Sequence, residues 1–172
     1  QTGLSYTSIE NARLNLKSES KGKSFDRVRK ESKEIWNNKL NKIVVEGGQE
    51  KDRVKFYTGL YHALLGRGLA NDVNGDYPLI DNKIGKTPTD ETGAPKYNHY
   101  NTDGIWGGFW NLSQVWALAY PEYFSEYVQS NIDFYKNRGW LHDGAANGVF
   151  TNGVQTNFQG LLMASAYNVD IR

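Results

Sequence analysis

Between Tyr97 and Glu122 the chain reads YNHYNTDGIWGGFWNLSQVWALAYPE, with Trp106, Trp110 and Trp116 inside eleven residues. Asn98, Asn101, Asp103 and Asn111 are threaded among them. Indole faces cover the flat C–H faces of sugar rings, and neighbouring carboxylates and amides bond to hydroxyls. Saccharide recognition is therefore one chemistry this stretch suggests. Burial in a helical core is the alternative, although a core has little use for Asn and Asp between its tryptophans. Trp106 and Trp110 stand four apart, on one side of any helix that begins so early, and are either sugar contacts or core. Trp116 continues the apolar stripe of Phe109 and Leu112 and is expected in the core. Asp103 precedes that stripe and reads equally as a site residue or an N-cap. Asn111 is either buried with a partner or turned to a cleft. Asp143, followed by Gly144, is a turn residue or a sugar-binding carboxylate.

Acid–base chemistry has fewer markers. Asp72, Asp76, Asp103 and Asp143 fall in expected loops, but no local context makes any of them an acid or a base. No catalytic residue is assigned from the sequence. His62 lies inside an apolar helical pattern and reads as structural. His99 and His142 lie in loops and share no metal-ligand spacing, so no metal ligand is assigned either. Gly107-Gly108 has no phosphate-loop pattern around it.

The elements that must position these residues are mostly helical. Leu4, Tyr6 and Ile9, then Ala12, Leu14 and Leu16, alternate with polar residues, so residues 3–16 are expected to be extended. Ser18–Ser24 is a polar hinge. Helices are expected over residues 24–43, 49–65, 108–119, 122–136 and 157–167. Ser24 caps the first, and Tyr57, Leu60, Tyr61, Leu64 and Leu65 form the core stripe of the second. Pro121 opens the fourth, whose face is Phe124, Val128, Ile132 and Tyr135, and Gly139 closes it. Thr156 with Gln159 reads as a capping box for the fifth. Residues 66–101 hold three of the four prolines and form a long connection, with a hairpin expected over Tyr77–Ile84. Helix pairs joined alternately by short turns and long Gly- and Asn-rich loops suggest an α/α toroid with its long loops on one face. A plain helical bundle would need fewer such loops.

Composition narrows the function classes. The 172 residues suit one domain, and 20 basic against 19 acidic side chains leave no net field to steer nucleic acid. The basic residues of the first third interleave with Glu and Asp at helical spacing, as on a solvated face. Cysteine is absent, so there is no disulfide framework. No apolar run approaches transmembrane length, and the chain contains no signal-peptide pattern.

The chain resembles the middle of glycoside hydrolase family 92, the calcium-dependent exo-α-mannosidases. The words that carry the resemblance are SIENARLNL (8–16), IWNNKL (35–40), VEGG (45–48), KFYTGLYHALLGR (55–67), DVNGDY (72–77), the Trp106–Trp116 segment with its following Pro-Glu, and GWL (139–141). They span nearly the whole chain in family order. The resemblance implies a mainly α chain, a partial (α/α)6 toroid preceded by the last strand or strands of an N-terminal β-sandwich. Residues 1–19 would end the sandwich, 20–48 would be a linker helix and connection, and 49–172 would begin the catalytic barrel. It further implies an exported enzyme that removes α-linked mannose with inversion, with the glycan and the remainder of the parent enzyme as partners. The catalytic pair and the calcium ligands would lie beyond Arg172. Two departures mark a divergent branch. Many members have Trp-Asp where this chain has Trp106-Gly107, and many have Asn-Glu where it has Val149-Phe150. Asp103 is the expected stand-in for the lost aspartate.

The reading is a substrate-binding and scaffold portion of a glycosidase, with Asp103, Trp106, Trp110, Asn111 and Asp143 as substrate contacts. The rivals are a non-catalytic carbohydrate-binding domain and a helical interaction domain. Asp103, Trp106, Trp110 and Asn111 are expected to share one cleft rim with the loop from His142 to Asn152. A partial ring also leaves stripes such as Tyr57–Leu65 and Phe158–Leu162 uncovered, which favours self-association.

Overall fold

The computed structural model describes residues 1–65, 68–103, 105–108, 110–141, 143–150 and 157–171, and for Trp106 and Phe150 the backbone alone. The expectations placed on Phe109, His142 and Thr156 lie outside the described residues, as does that on the Trp106 side chain. The chain forms two compact units, residues 20–66 and residues 1–19 with 67–172. Among the described residues no helix is long and apolar enough to cross a membrane.

The smaller unit is a helical hairpin of α2 (Phe25–Leu40) and α3 (Glu50–Leu64). Ser24 caps α2 by accepting the Arg27 N–H at 3.2 Å. Gly47 and Gly48 take left-handed backbone in the connection. Trp36 packs on Tyr61 with ring centroids 4.5 Å apart, and the Tyr57 hydroxyl donates to the Ile43 carbonyl at 3.2 Å. The expected core stripe of α3 is only partly realised. Leu60 is buried and Tyr57 half-buried, whereas Tyr61, Leu65 and His62 are exposed. A two-helix hairpin covers only the stripes its helices turn toward each other, so His62 is a surface residue and not an internal one.

The larger unit corrects the extended reading of residues 3–16. Ile9–Ser20 is a helix, α1, and no sandwich strand occurs there. Ser8 is its cap in effect: its hydroxyl accepts the Asn11 N–H at 3.0 Å and its carbonyl the Ala12 N–H at 3.1 Å. The pairs that matter are four apart, Asn11 with Asn15 and Ala12 with Leu16, and an alternation of apolar residues hides that period. The remaining helices of this unit are α4 (Ile105–Gly108), α5 (Leu112–Ala119), α6 (Pro121–Arg138) and α7 (Phe158–Asn168). Pro121 opens α6, and Gly139, at φ 72°, ends it with its N–H on the Tyr135 carbonyl at 2.6 Å.

The expected hairpin forms as β1 (Asp76–Pro78) and β2 (Ile84–Lys86), antiparallel with Tyr77 opposite Gly85. Asp81 and Asn82 both have positive φ, and the Lys83 N–H reaches the Ile80 carbonyl at 3.2 Å. This is a type I′ turn, whose twist suits two strands and whose left-handed positions Asp and Asn tolerate. A second hairpin pairs β3 (Ala145–Ala146) with β4 (Val149–Phe150) across Asn147-Gly148, again at positive φ.

The core of this unit lies between α5, α6 and α7. Trp116 is fully buried against Tyr123, Phe124 and Tyr127, with ring centroids 5.1, 6.0 and 5.2 Å away. Leu162 and Ala166 of α7 complete it. Of the expected α6 face, Phe124 and Val128 are buried, but Tyr135 is exposed. Gln159 of α7 is buried, and its amide lies 3.5 Å from the Thr102 carbonyl, while Asn157 is the residue at the N-cap.

Candidate functional site

The site is built on the segment 97–103, which α6 holds through a polar stripe. Glu126 accepts the Asn98 backbone N–H, the Asn98 amide and the Tyr100 hydroxyl, each at 3.1 Å. One turn on, Ser130 accepts the Tyr100 N–H at 2.9 Å. Asp133 accepts the Tyr97 hydroxyl at 3.1 Å and stands 3.6 Å from His99 Nδ1. Positions 126, 130 and 133 lie on one side of a helix. The other edge of the segment pairs with residues 68–71: the Ala70 N–H donates to the His99 carbonyl at 2.8 Å, and Asn101 N–H to Gly68 at 3.1 Å.

The environment of these side chains fixes their protonation. His99 is 0% exposed, stacked on Tyr77 with centroids 3.8 Å apart and edge-on to Phe134. Burial lowers its proton affinity, against the pull of Asp133. Burial and the Asp133 charge push the Tyr77 and Tyr97 hydroxyls up to about 12, and burial with Glu126 raises Tyr100 further. The Tyr97 and Tyr100 phenols therefore remain donors to Asp133 and Glu126 at neutral pH.

With one edge anchored, the segment is stitched at its end to the loop before and within β3–β4. Thr102 N–H donates to the Ala145 carbonyl at 2.7 Å, and Ala145 N–H returns to the Thr102 hydroxyl at 3.3 Å. The Asn101 and Asn147 side chains pair at 3.2 Å, and Asn147 N–H donates to Asn101 Oδ1 at 2.9 Å. Asp103 is half-buried immediately beyond this clip. Asp143, two residues before Ala145, is 4% exposed.

The expected aromatic contacts divide. Trp110 is 70% exposed, its ring edge-on to Phe158 at 6.2 Å, and Asn111 beside it is exposed at the start of α5. Trp106 has its backbone in α4. Sequence reasoning missed Trp140, which is 65% exposed in the loop leading to Asp143. The available signal was a tryptophan directly after the helix-ending Gly139. It also missed the stripe of Glu126, Ser130 and Asp133.

Asp72 and Asp76 belong to a different construction. Asp72 is 3% exposed. It accepts the Asn15 amide at 2.6 Å, the Ser5 hydroxyl at 2.9 Å, the Asn11 amide at 3.1 Å, and the Thr7 hydroxyl. Asp76 takes Asn11 at 3.0 Å, Asn74 at 2.9 Å and the Lys86 ammonium at 2.8 Å. Burial works against its charge, but Lys86, Asn11 and Asn74 hold its carboxyl below the usual range. A group so held has no proton to give at neutral pH. Nor does the pair fit the calcium ion of the resembled family, because its oxygens already face amide, hydroxyl and ammonium hydrogens, the inverse of a cation's needs. Among the described residues no three Asp, Glu or His side chains gather as a metal site.

In class the molecule is a mainly α domain of the α/α toroid type, with the 97–103 segment stitched to the 145–147 turn. The model of the glycosyl hydrolase family 92 catalytic domain matches residues 11–172, and the chain belongs to that family. The fold agrees with an α-mannosidase of family 92 from Bacteroides thetaiotaomicron solved with mannoimidazole, at TM-score 0.86 and 20% identity over 98% of this chain and 21% of that one. An inverting mannosidase of the same family and organism gives 0.84 and 23%, over 98% and 22%. The family 92 glycosyl hydrolase ccman5 gives 0.74 and 22%, over 94% and 21%. The chain thus spans about a fifth of the length of these enzymes. No curated protein matches it.

Proposed function

We propose that this chain is the substrate-binding and scaffold portion of an inverting glycosidase that releases α-linked mannose from glycans. The observation that carries the reading is the stitched pair of loops, Asn101–Asp103 and Asp143–Asn147, in a family 92 chain that also exposes Trp110 and Trp140. Inverting hydrolysis needs a carboxylic acid and a carboxylate base far enough apart to admit water. Asp72 and Asp76 are committed to holding α1, so they take neither role. Trp110 supplies a stacking face, and Asp103 accepts sugar hydroxyls in place of the aspartate missing after Trp106. The test is titration of the chain with methyl α-mannoside, followed by tryptophan fluorescence and amide shifts. Saturable changes at Trp110 and Asp103, lost in Trp110→Ala and Asp103→Ala, are expected. Binding that survives both substitutions contradicts the assignment.

A second reading, a carbohydrate-binding domain without catalysis, is favoured by Gly107 standing where many family members have aspartate. The downstream sequence of the parent gene separates the two, since it either contains paired acidic motifs or lacks them.

A further inference from the structure

A cavity of about 340 Å³ lies between the β1–β2 turn and the last turn of α6. Leu79, Ile80 and Phe134 form its apolar lining, and Asp81, Lys83, Asn137 and Arg138 its polar one. It is distinct from the stitched loops, yet tied to them. Gly148 sits so close that a Cβ there would stand 2.5 Å from the Leu79 carbonyl oxygen. The β3–β4 turn therefore presses on the wall of the cavity, and only glycine permits that approach.

The lining selects a ligand class. Asp81 and Arg138 attract each other, and the Lys83 ammonium adds a second cationic donor to the lining. The end of α6 contributes the negative end of a helix dipole, which disfavours anions. A simple anion would meet Asp81 and that dipole, while a simple cation would meet Lys83 and Arg138. A purely apolar ligand would desolvate all four polar side chains without replacing their hydrogen bonds. A ring that carries hydroxyls outward and C–H faces inward satisfies both parts of the lining. The volume is at the small end of ligand pockets, roughly 300–1,000 Å³, and suits one sugar ring.

We propose that this cavity is an accessory binding site for a single neutral pyranose, separate from the Asp103–Trp110 edge. The proposal rests on the glycan-processing reading only for the choice of mannose as probe. The experiment is an amide-shift titration of the chain with methyl α-mannoside, with methyl α-glucoside and inorganic phosphate as contrasts. Saturable shifts at Ile80–Lys83 and Asn137–Arg138 are expected with a pyranoside, and none there with phosphate. Asp81→Asn, which keeps a residue tolerant of the turn, and Arg138→Gln should each weaken binding about tenfold while the rest of the spectrum is unchanged. Phosphate shifting these amides where the glycosides do not would overturn the proposal in favour of an anion site. Mannoside shifts confined to Trp110 and Asp103 would also overturn it and leave the proposed function standing. Shifts here with none at Trp110 would support this site and count against the other.

Discussion

Two carboxylate-centred seams hold the larger unit together, and they are made of opposite materials. At the first, Asp72 and Asp76 receive amides and hydroxyls from Ser5, Thr7, Asn11, Asn15 and Asn74, with Lys86 at the rim. Apart from Lys86, none of those partners has an ionisable side chain. At the second, Glu126 and Asp133 receive phenols, and Asp133 stands beside a buried imidazole. The first seam fastens a helix; the second fastens the segment that ends in Asp103. Both use carboxylates as fixed acceptors, so a count of acidic residues in loops overstates the supply of catalytic groups. Only the second couples the position of a candidate substrate contact to protonation.

The largest effect should come from cutting the first seam. Asp72→Ala leaves several half-buried donors without this acceptor, and a loss of about 1–3 kcal/mol is expected, measured by urea unfolding. A loss under about 1 kcal/mol would mean that solvent replaces the carboxylate readily.

Next comes the pH response, in which the second seam acts near neutral and alkaline pH and Asp76 of the first only in the carboxylate range. Because burial depresses His99 below its ordinary 6.5, the unfolded chain binds that proton at higher pH than the folded one. Stability is therefore full above about 6.5 and falls as pH drops through and below it. On the alkaline side, Tyr77 and Tyr97 are raised from 10.0 to about 12. Their contribution is complete below 10.0 and lost as pH rises through about 12. Unfolding curves across pH check both limbs. His99→Phe should flatten the limb just below 6.5, and Asp76→Asn should alter only the limb in the carboxylate range. A fall in stability just below 6.5 that survives in His99→Phe would break the contrast between the seams, whereas loss at lower pH belongs to carboxylates such as Asp76.

The smallest stability effect is expected at the exposed edge. Trp110→Ala should change folding stability by no more than about 0.5 kcal/mol, as for an exposed side chain, while weakening mannoside binding. A large stability loss would return Trp110 to the core reading.

The distribution of what could be read in advance follows from the range of the interactions. α2, α3, α5, α6 and α7 were legible because their caps, stops and apolar periods are local, as with Ser24, Pro121 and Gly139. The Asp81-Asn82 hairpin was legible for the same reason. α1 was not, since its helical pairs Asn11 and Asn15 are polar and acquire meaning only against Asp72, 61 and 57 residues away. The anchoring of 97–103 was hidden likewise, its partners on α6 being 28, 30 and 36 residues distant. Exposure on a loop leaves no periodic trace, which is why Trp140 passed unnoticed while Trp110 was marked by its neighbours.

The central claim, that this segment binds and positions but lacks the catalytic pair, is tested most directly by assaying the 172-residue chain with calcium on aryl α-mannosides. The account predicts no turnover above the uncatalysed rate, with mannoside binding retained. Turnover that disappears in Asp103→Asn or Asp143→Asn would contradict it, because an acid and a base would then both lie within these residues.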